Sequence, residues 1–165
     1  MDFTQIPAYQ QRVFVPENAD LTDVKTVVGL YEQLEGMALN SAQELEDWLM
    51  KRSELDAALS QAGSILYIRM TCKTDDPPIA EAYSQFVQAI PPAVKPINDR
   101  LNHKYVAARE LFALDAKRYQ VYDRAVKTDI ELFVEKNVPL QTQVDLISQE
   151  YQTVCGAMTV TFEGK

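Results

Sequence analysis

A long run of evenly stepped positions, opening on a ready-made helix start, limits this chain more than any other feature. Ser41-Ala42-Gln43-Glu44 has the form of a capping box, in which the serine hydroxyl and the glutamate each satisfy one orphan backbone N–H. From there Leu45, Trp48, Arg52, Leu55, Leu59, Ala62 and Leu66 alternate steps of three and four, with Arg52 the only polar member. That spacing is a heptad seam along one face of a long helix. Gly63 weakens the helix locally by roughly 1 kcal/mol relative to alanine, yet the pattern runs on toward Cys72. Upstream, Leu21, Val24, Val28, Tyr31 and Leu34 line a shorter helix, with Asp20 at its N-cap position. Only Ala38-Leu39-Asn40 separates the two, so they are expected to fold back as an antiparallel helical hairpin. Packing within one chain then accounts for the seam better than an intermolecular coiled coil, because the short loop already supplies a partner.

The flanking segments carry their own punctuation. The first twenty residues look extended, since Ile6-Pro7 and Val15-Pro16 push the residue before proline out of the helical region, and Val13-Phe14-Val15 has the composition of a short strand. Thr74-Asp75-Asp76-Pro77-Pro78 reads as a capping aspartate with proline at the first helical positions. Ile79, Tyr83, Phe86 and Ile90 form the next stripe. Pro91-Pro92 breaks or kinks it, and Val94, Ile97, Leu101, Tyr105 and Ala108 start another. Tyr119, Tyr122, Val126, Ile130 and Phe133 line a further helix that ends near Asn137 and Pro139. Leu140, Val144, Ile147, Tyr151 and Val154 line the last, with Gly156 as its C′ residue. Beyond it the period changes: Met158, Val160 and Phe162 alternate with Thr159, Thr161 and Glu163, as in a half-buried strand. A single strand leaves an unpaired apolar edge. Either it pairs with Val13-Phe14-Val15 or the natural chain continues, and the second is favoured because a two-stranded pair is marginal by itself.

Composition narrows the function. With 165 residues, nearly half of them apolar, the chain suits one packed domain or a sizeable piece of a larger protein. A formal charge of −8, with Lys51-Arg52 and Lys117-Arg118 as the densest basic clusters, argues against nucleic-acid binding. No apolar run is long enough for a bilayer, and Met1-Asp2-Phe3-Thr4-Gln5 has neither the basic start nor the apolar stretch of a secretory signal. The expectation is a soluble, cytoplasmic protein. Cys72 and Cys155 lie far apart and form no CxxC; they read as reduced, semi-buried thiols, and nothing calls for a disulfide between them.

A search for chemistry returns no catalytic, cofactor-binding or metal residues. His103 is the one histidine, too few for HExxH, a CCHH finger or any two-histidine centre. A dyad of His103 with Cys72 or Cys155 lacks a cationic setting that would activate the thiol. The carboxylates fall on polar helix faces or at N-termini, where they complement the dipole. Tyr31, Tyr83, Tyr105 and Tyr119 sit on apolar stripes and read as core residues with their hydroxyls at the rim.

Three stretches nonetheless carry a resemblance. They are Glu44-Leu45-Glu46-Asp47-Trp48-Leu49 through Ser53-Glu54-Leu55; Arg69-Met70-Thr71-Cys72-Lys73-Thr74-Asp75 through Ala80-Glu81-Ala82-Tyr83; and Asp129-Ile130-Glu131-Leu132-Phe133 through Asn137-Val138-Pro139-Leu140, then Gln149-Glu150-Tyr151-Gln152. In this order the chain, from about Val13 to Gly164, resembles the amino-terminal region of oligoendopeptidase F-like enzymes, which are thimet-oligopeptidase-like zinc metallopeptidases. The resemblance implies a helical lobe that walls a deep substrate channel and limits the parent enzyme to short peptides. It implies as partners the C-terminal catalytic region of the parent chain and its oligopeptide substrate, with zinc in that region and no cofactor in this chain. No catalytic role transfers to any position here, because the matching residues are packing and capping residues.

The reading is therefore all-α: about five amphipathic helices including a long antiparallel hairpin, with a small β element near the C-terminus, over residues 1–165 as one helical domain. A free-standing helical module that binds a partner helix is the alternative. An independent enzyme using Cys155 or His103 is a third. Neither nucleic acid nor membrane is expected as a partner, and the unpaired edge offers a route to self-association. If Ser41 and Glu44 cap the long helix, Ser41→Ala costs about 1 kcal/mol in chemical denaturation. Leu59→Ala costs more, roughly 2–5 kcal/mol if the seam is core; the reverse order would remove the seam from the core.

Overall fold

Four helices begin on a side chain that accepts a hydrogen bond from the backbone N–H three residues on: Asp23 from Thr26, Ser41 from Glu44, Asp76 from Ile79 and Asp115 from Arg118. The computed structural model describes residues 11–73 and 75–162. Among them it contains α1 (Val24–Gly36), α2 (Ala42–Cys72), α3 (Pro77–Leu111), α4 (Ala116–Leu132) and α5 (Val138–Gly156), with a 3-10 turn at Glu135–Asn137. The all-α expectation is met. Glu44 completes a variant of the capping box: its carboxylate accepts from the Asn40 backbone N–H at 2.8 Å, one residue ahead of Ser41. Helix α1 starts at Asp23 rather than Asp20, because the Asp20 side chain is engaged by the N–H and hydroxyl of Thr22 in the turn before it. Gly156 closes α5 as its last residue, with Ala157 and not Gly156 beyond the end.

The hairpin forms. Trp48 Nε1 donates to the Leu34 carbonyl at 2.9 Å and the Tyr31 hydroxyl to Asp56 at 2.6 Å, so α1 and α2 run antiparallel. Leu45, Trp48, Arg52 and Leu55 are buried along the seam, while Leu59, Ala62 and Leu66 are half-buried. The cost of Leu59→Ala accordingly falls at the low end of its range.

Helix α3 touches each of the other α-helices. Contrary to expectation, Pro91-Pro92 does not divide it: one helix runs through Pro91, Pro92 and Pro96. Each interior proline costs about 3 kcal/mol. The stripe on both sides of them, Phe86, Val87, Ile90, Val94, Ile97, Leu101, Tyr105 and Ala108, is buried. At about 1.5–3 kcal/mol for each large apolar side chain, that burial outweighs the lost backbone bonds.

Polar clamps set how the neighbours lie on α3. Arg100 forks onto Glu35 at 2.6 and 3.0 Å, and Lys104 donates to the carbonyls of Leu34, Glu35 and Met37, capping the C-terminal end of α1. Asp123 of α4 accepts from Arg109 at 3.1 and 2.9 Å and from the Tyr105 hydroxyl at 2.5 Å. The Arg109 guanidinium holds the Asp123 carboxyl below the usual range, outweighing its partial burial.

Neither expected strand is present. Val13, Phe14 and Val15 donate their backbone N–H groups to Glu54 of α2 at 2.9, 2.9 and 2.7 Å, so a carboxylate does the work a neighbouring strand would do. Residues 158–162 form no strand either; Met158, Val160 and Phe162 are 71%, 89% and 75% exposed, and among the described residues no backbone pairs with them to supply a ladder. The expectations placed on Ile6-Pro7, Thr74 and Glu163 lie outside the described residues.

Burial pushes the Glu54 carboxyl up, but the N–H groups of Val15, Val13 and Phe14 together outweigh it, leaving the pKa below the ordinary glutamate value. The clamp is therefore complete above the unfolded carboxyl's pKa and is lost as pH falls through the depressed folded one. Glu54→Gln is expected to speed amide exchange at Val13–Val15 by about tenfold at neutral pH, the scale of one charge-assisted hydrogen bond, and to remove that segment's acid sensitivity. Unchanged exchange in the variant would show that Glu54 does not hold the segment.

Candidate functional site

The residues best suited to chemistry are kept apart. The His103 side chain is 61% exposed on α3, with Nε2 3.7 Å from Asp99 one turn away. Cys72 and Cys155 are exposed free thiols rather than semi-buried ones, because each sits at the far end of a helix where the core has thinned. Gln149 of α5 donates to the Ala80 carbonyl, which places the Cys155 end of α5 beside the start of α3. At 1.5 Å per residue, His103 lies about 35 Å further along α3, too far for a dyad. Among the described residues no three His, Cys, Asp or Glu side chains converge to hold a metal ion.

What does converge is a buried polar network around Arg52. Its Nη2 donates to Asn102 at 2.7 Å and, more weakly, to Asn98 at 3.4 Å on α3. Its guanidinium carbon lies 5.7 Å from the centre of the Trp48 ring. Nε faces Asp56 at 3.8 Å, and neither Nε nor Nη1 has a hydrogen-bond partner. Asp56 in turn accepts from Tyr31, whose pKa is raised first by burial and then by that carboxylate. Sequence reasoning noticed Arg52 as the polar member of the seam but had no means of locating its partners on α3. The network fixes a buried charge, and its one hydroxyl, on Tyr31, is held protonated by burial and the Asp56 carboxylate.

A cleft of 580 Å³ opens between α2, α3 and α5. Tyr67 and Tyr83 meet across it at 5.7 Å in a tilted pair, with Gly63, Phe86 and Val87 beside them and Lys95, Asp56 and Asp145 among its polar lining. Burial, then the Asp145 and Tyr67 neighbours, raises the Tyr83 pKa. An apolar floor with a few charged groups at its edge is the general make-up of a ligand cleft.

Helix α5 reverses the orientation its pattern implies. Leu140, Val144, Ile147, Tyr151 and Val154, the stripe expected to pack inward, are 57–69% exposed. Toward α3 it turns Val138, Thr142, Leu146, Gln149 and Gln152, of which only Val138 is fully buried. Its attachment is polar: Gln149 to the Ala80 carbonyl at 3.1 Å, and Lys95 to Gln141. The side-chain Oε1 of Gln152 is buried without a hydrogen-bond partner. Periodicity finds such a stripe but cannot say which way it faces.

A family model described as the peptidase M3 N-terminal domain matches residues 17–133, the segment that contains α1 through α4. No curated protein and no solved structure matches the chain.

Proposed function

The chain belongs to the peptidase M3 N-terminal domain family, and on that premise we propose that it is the non-catalytic helical lobe of an oligoendopeptidase F-like zinc peptidase. The family match carries this reading, because it spans the four helices that supply nearly all of the buried core. In this role the lobe walls the channel that admits short peptides, and residues 1–165 act as one helical domain joined to a C-terminal catalytic region. The open cleft beside Tyr67 and Tyr83 is consistent with contact to peptide rather than with its hydrolysis.

Zinc does not fit the residues of this chain. Catalytic zinc sites use three protein ligands with an open position, whereas among the described residues no such group converges, and exposed His103 has only Asp99 near it at 3.7 Å. The metal is therefore assigned to the catalytic region. Two unpaired, exposed thiols suit a reducing, cytoplasmic setting, and no helix among the described residues is long and apolar enough to cross a membrane. The second reading, a free-standing interaction module, is favoured by one observation, the outward apolar stripe of α5.

Purified by itself and dialysed, this chain is expected to retain no stoichiometric zinc and to leave a quenched oligopeptide substrate intact. Zinc near one equivalent, together with chelator-sensitive cleavage, would overturn the assignment of a non-catalytic lobe.

A further inference from the structure

The outward face of α5 has the character of a buried surface without a cover. Leu140, Val144, Ile147, Tyr151 and Val154 make a stripe along it, and Met158, Val160 and Phe162 extend the exposed apolar surface past its end. Together these side chains expose on the order of 1,000 Å² of largely apolar area, about one partner's share of a standard protein interface. Monomeric proteins rarely leave a patch of that size uncovered.

Three observations say what covers it. First, the family match ends at residue 133, at the close of α4, and α5 begins at Val138. The stripe thus lies just past the part that is characteristic of the N-terminal domain. Second, α5 contributes no residue to the main apolar core and rests on α3 through a mixed face with polar contacts. A helix that gives a mixed face to its own domain and keeps its more apolar face outward has that face free for another. Third, the charged residues of α5 are Asp145 and Glu150, with no Lys or Arg among them. An anionic membrane surface or a nucleic acid would demand the opposite sign.

Resting on the lobe reading above, we propose that the α5 stripe is the docking face of this lobe for the catalytic region of an M3 peptidase. The occupant is an apolar protein surface, with Ile147 and Tyr151 at the centre of the contact and Glu150 at its edge. Central aromatic and aliphatic residues of such a patch carry most of an interface's affinity, while peripheral ones contribute little.

The test titrates this chain with the M3 catalytic region from the same genome, produced without its own N-terminal lobe, and follows complex formation by sedimentation and biolayer interferometry. Saturable one-to-one binding is expected, weakened at least tenfold by Ile147→Asp and by Tyr151→Asp. Met50→Asp, an exposed position on α2 beside residues 11–13, is expected to leave it unchanged. Circular dichroism and melting of each variant confirm that the fold survives. Binding that is equally strong in all variants would place docking elsewhere while leaving the lobe reading intact. Absence of binding, with a dimer that only the two stripe variants dissociate, would make a second copy the occupant and overturn the proposal. Absence of binding by a chain that stays monomeric would sink both the docking face and the lobe reading.

Discussion

The guanidinium of Arg52 sits inside a seam that is otherwise apolar, and the placement of three helices follows from what it requires. A buried cation without partners costs several kcal/mol. Arg52 finds them only when Asn102 and Asn98 of α3 face it, when Trp48 offers its ring, and when Asp56 remains close enough to balance the charge. Trp48 and Asp56 are themselves tied to α1 through the Leu34 carbonyl and the Tyr31 hydroxyl. A slip of α2 by one turn would keep leucines against leucines but would strand the charge. The leucines supply the driving force, and the arginine sets the register.

From that registered trio the remaining elements attach in order of decreasing burial. Helix α4 places Val126 in the core and is clamped by the Asp123 fork onto Arg109 and Tyr105. Helix α5 puts nothing into the main core and is held by glutamine contacts. The gradient matters for function: α1 to α4 share the main core, and α5, which adds nothing to it, keeps its better apolar face outward, as the proposed docking role requires. The family assignment, which stops at the end of α4, divides the chain at the same place.

Much of the body was legible in the residues. The caps at Ser41 and Asp76, the seam from Leu45 to Leu66 and the hairpin are local patterns, and local patterns survive folding. What eluded the pattern depended on contacts between distant segments. Pro91-Pro92 reads as a break until the buried stripe on either side is seen to outweigh it. Val13-Phe14-Val15 reads as a strand until Glu54, some forty residues away in sequence, takes its N–H groups. Gly63 reads as a weakness, yet a Cβ there would lie 2.9 Å from the Phe86 ring, so the glycine lets α2 and α3 approach. The candidate site was the least legible part, since the α5 stripe is visible in the sequence while its outward orientation depends on what α3 presents to it.

The central claim is that α1 to α4 are one cooperative body to which α5 is appended. Native-state hydrogen exchange measured across a denaturant series tests it most directly. The account predicts that amides in the buried stretches of α2 around Trp48 and Leu55 and of α3 around Ile97 and Leu101 exchange only through global unfolding. Those of α5 should exchange through a separate opening of distinctly lower free energy. Equal protection of α5 and of the α2–α3 core, merging into one isotherm, would contradict the division and with it the picture of α5 as an adaptor.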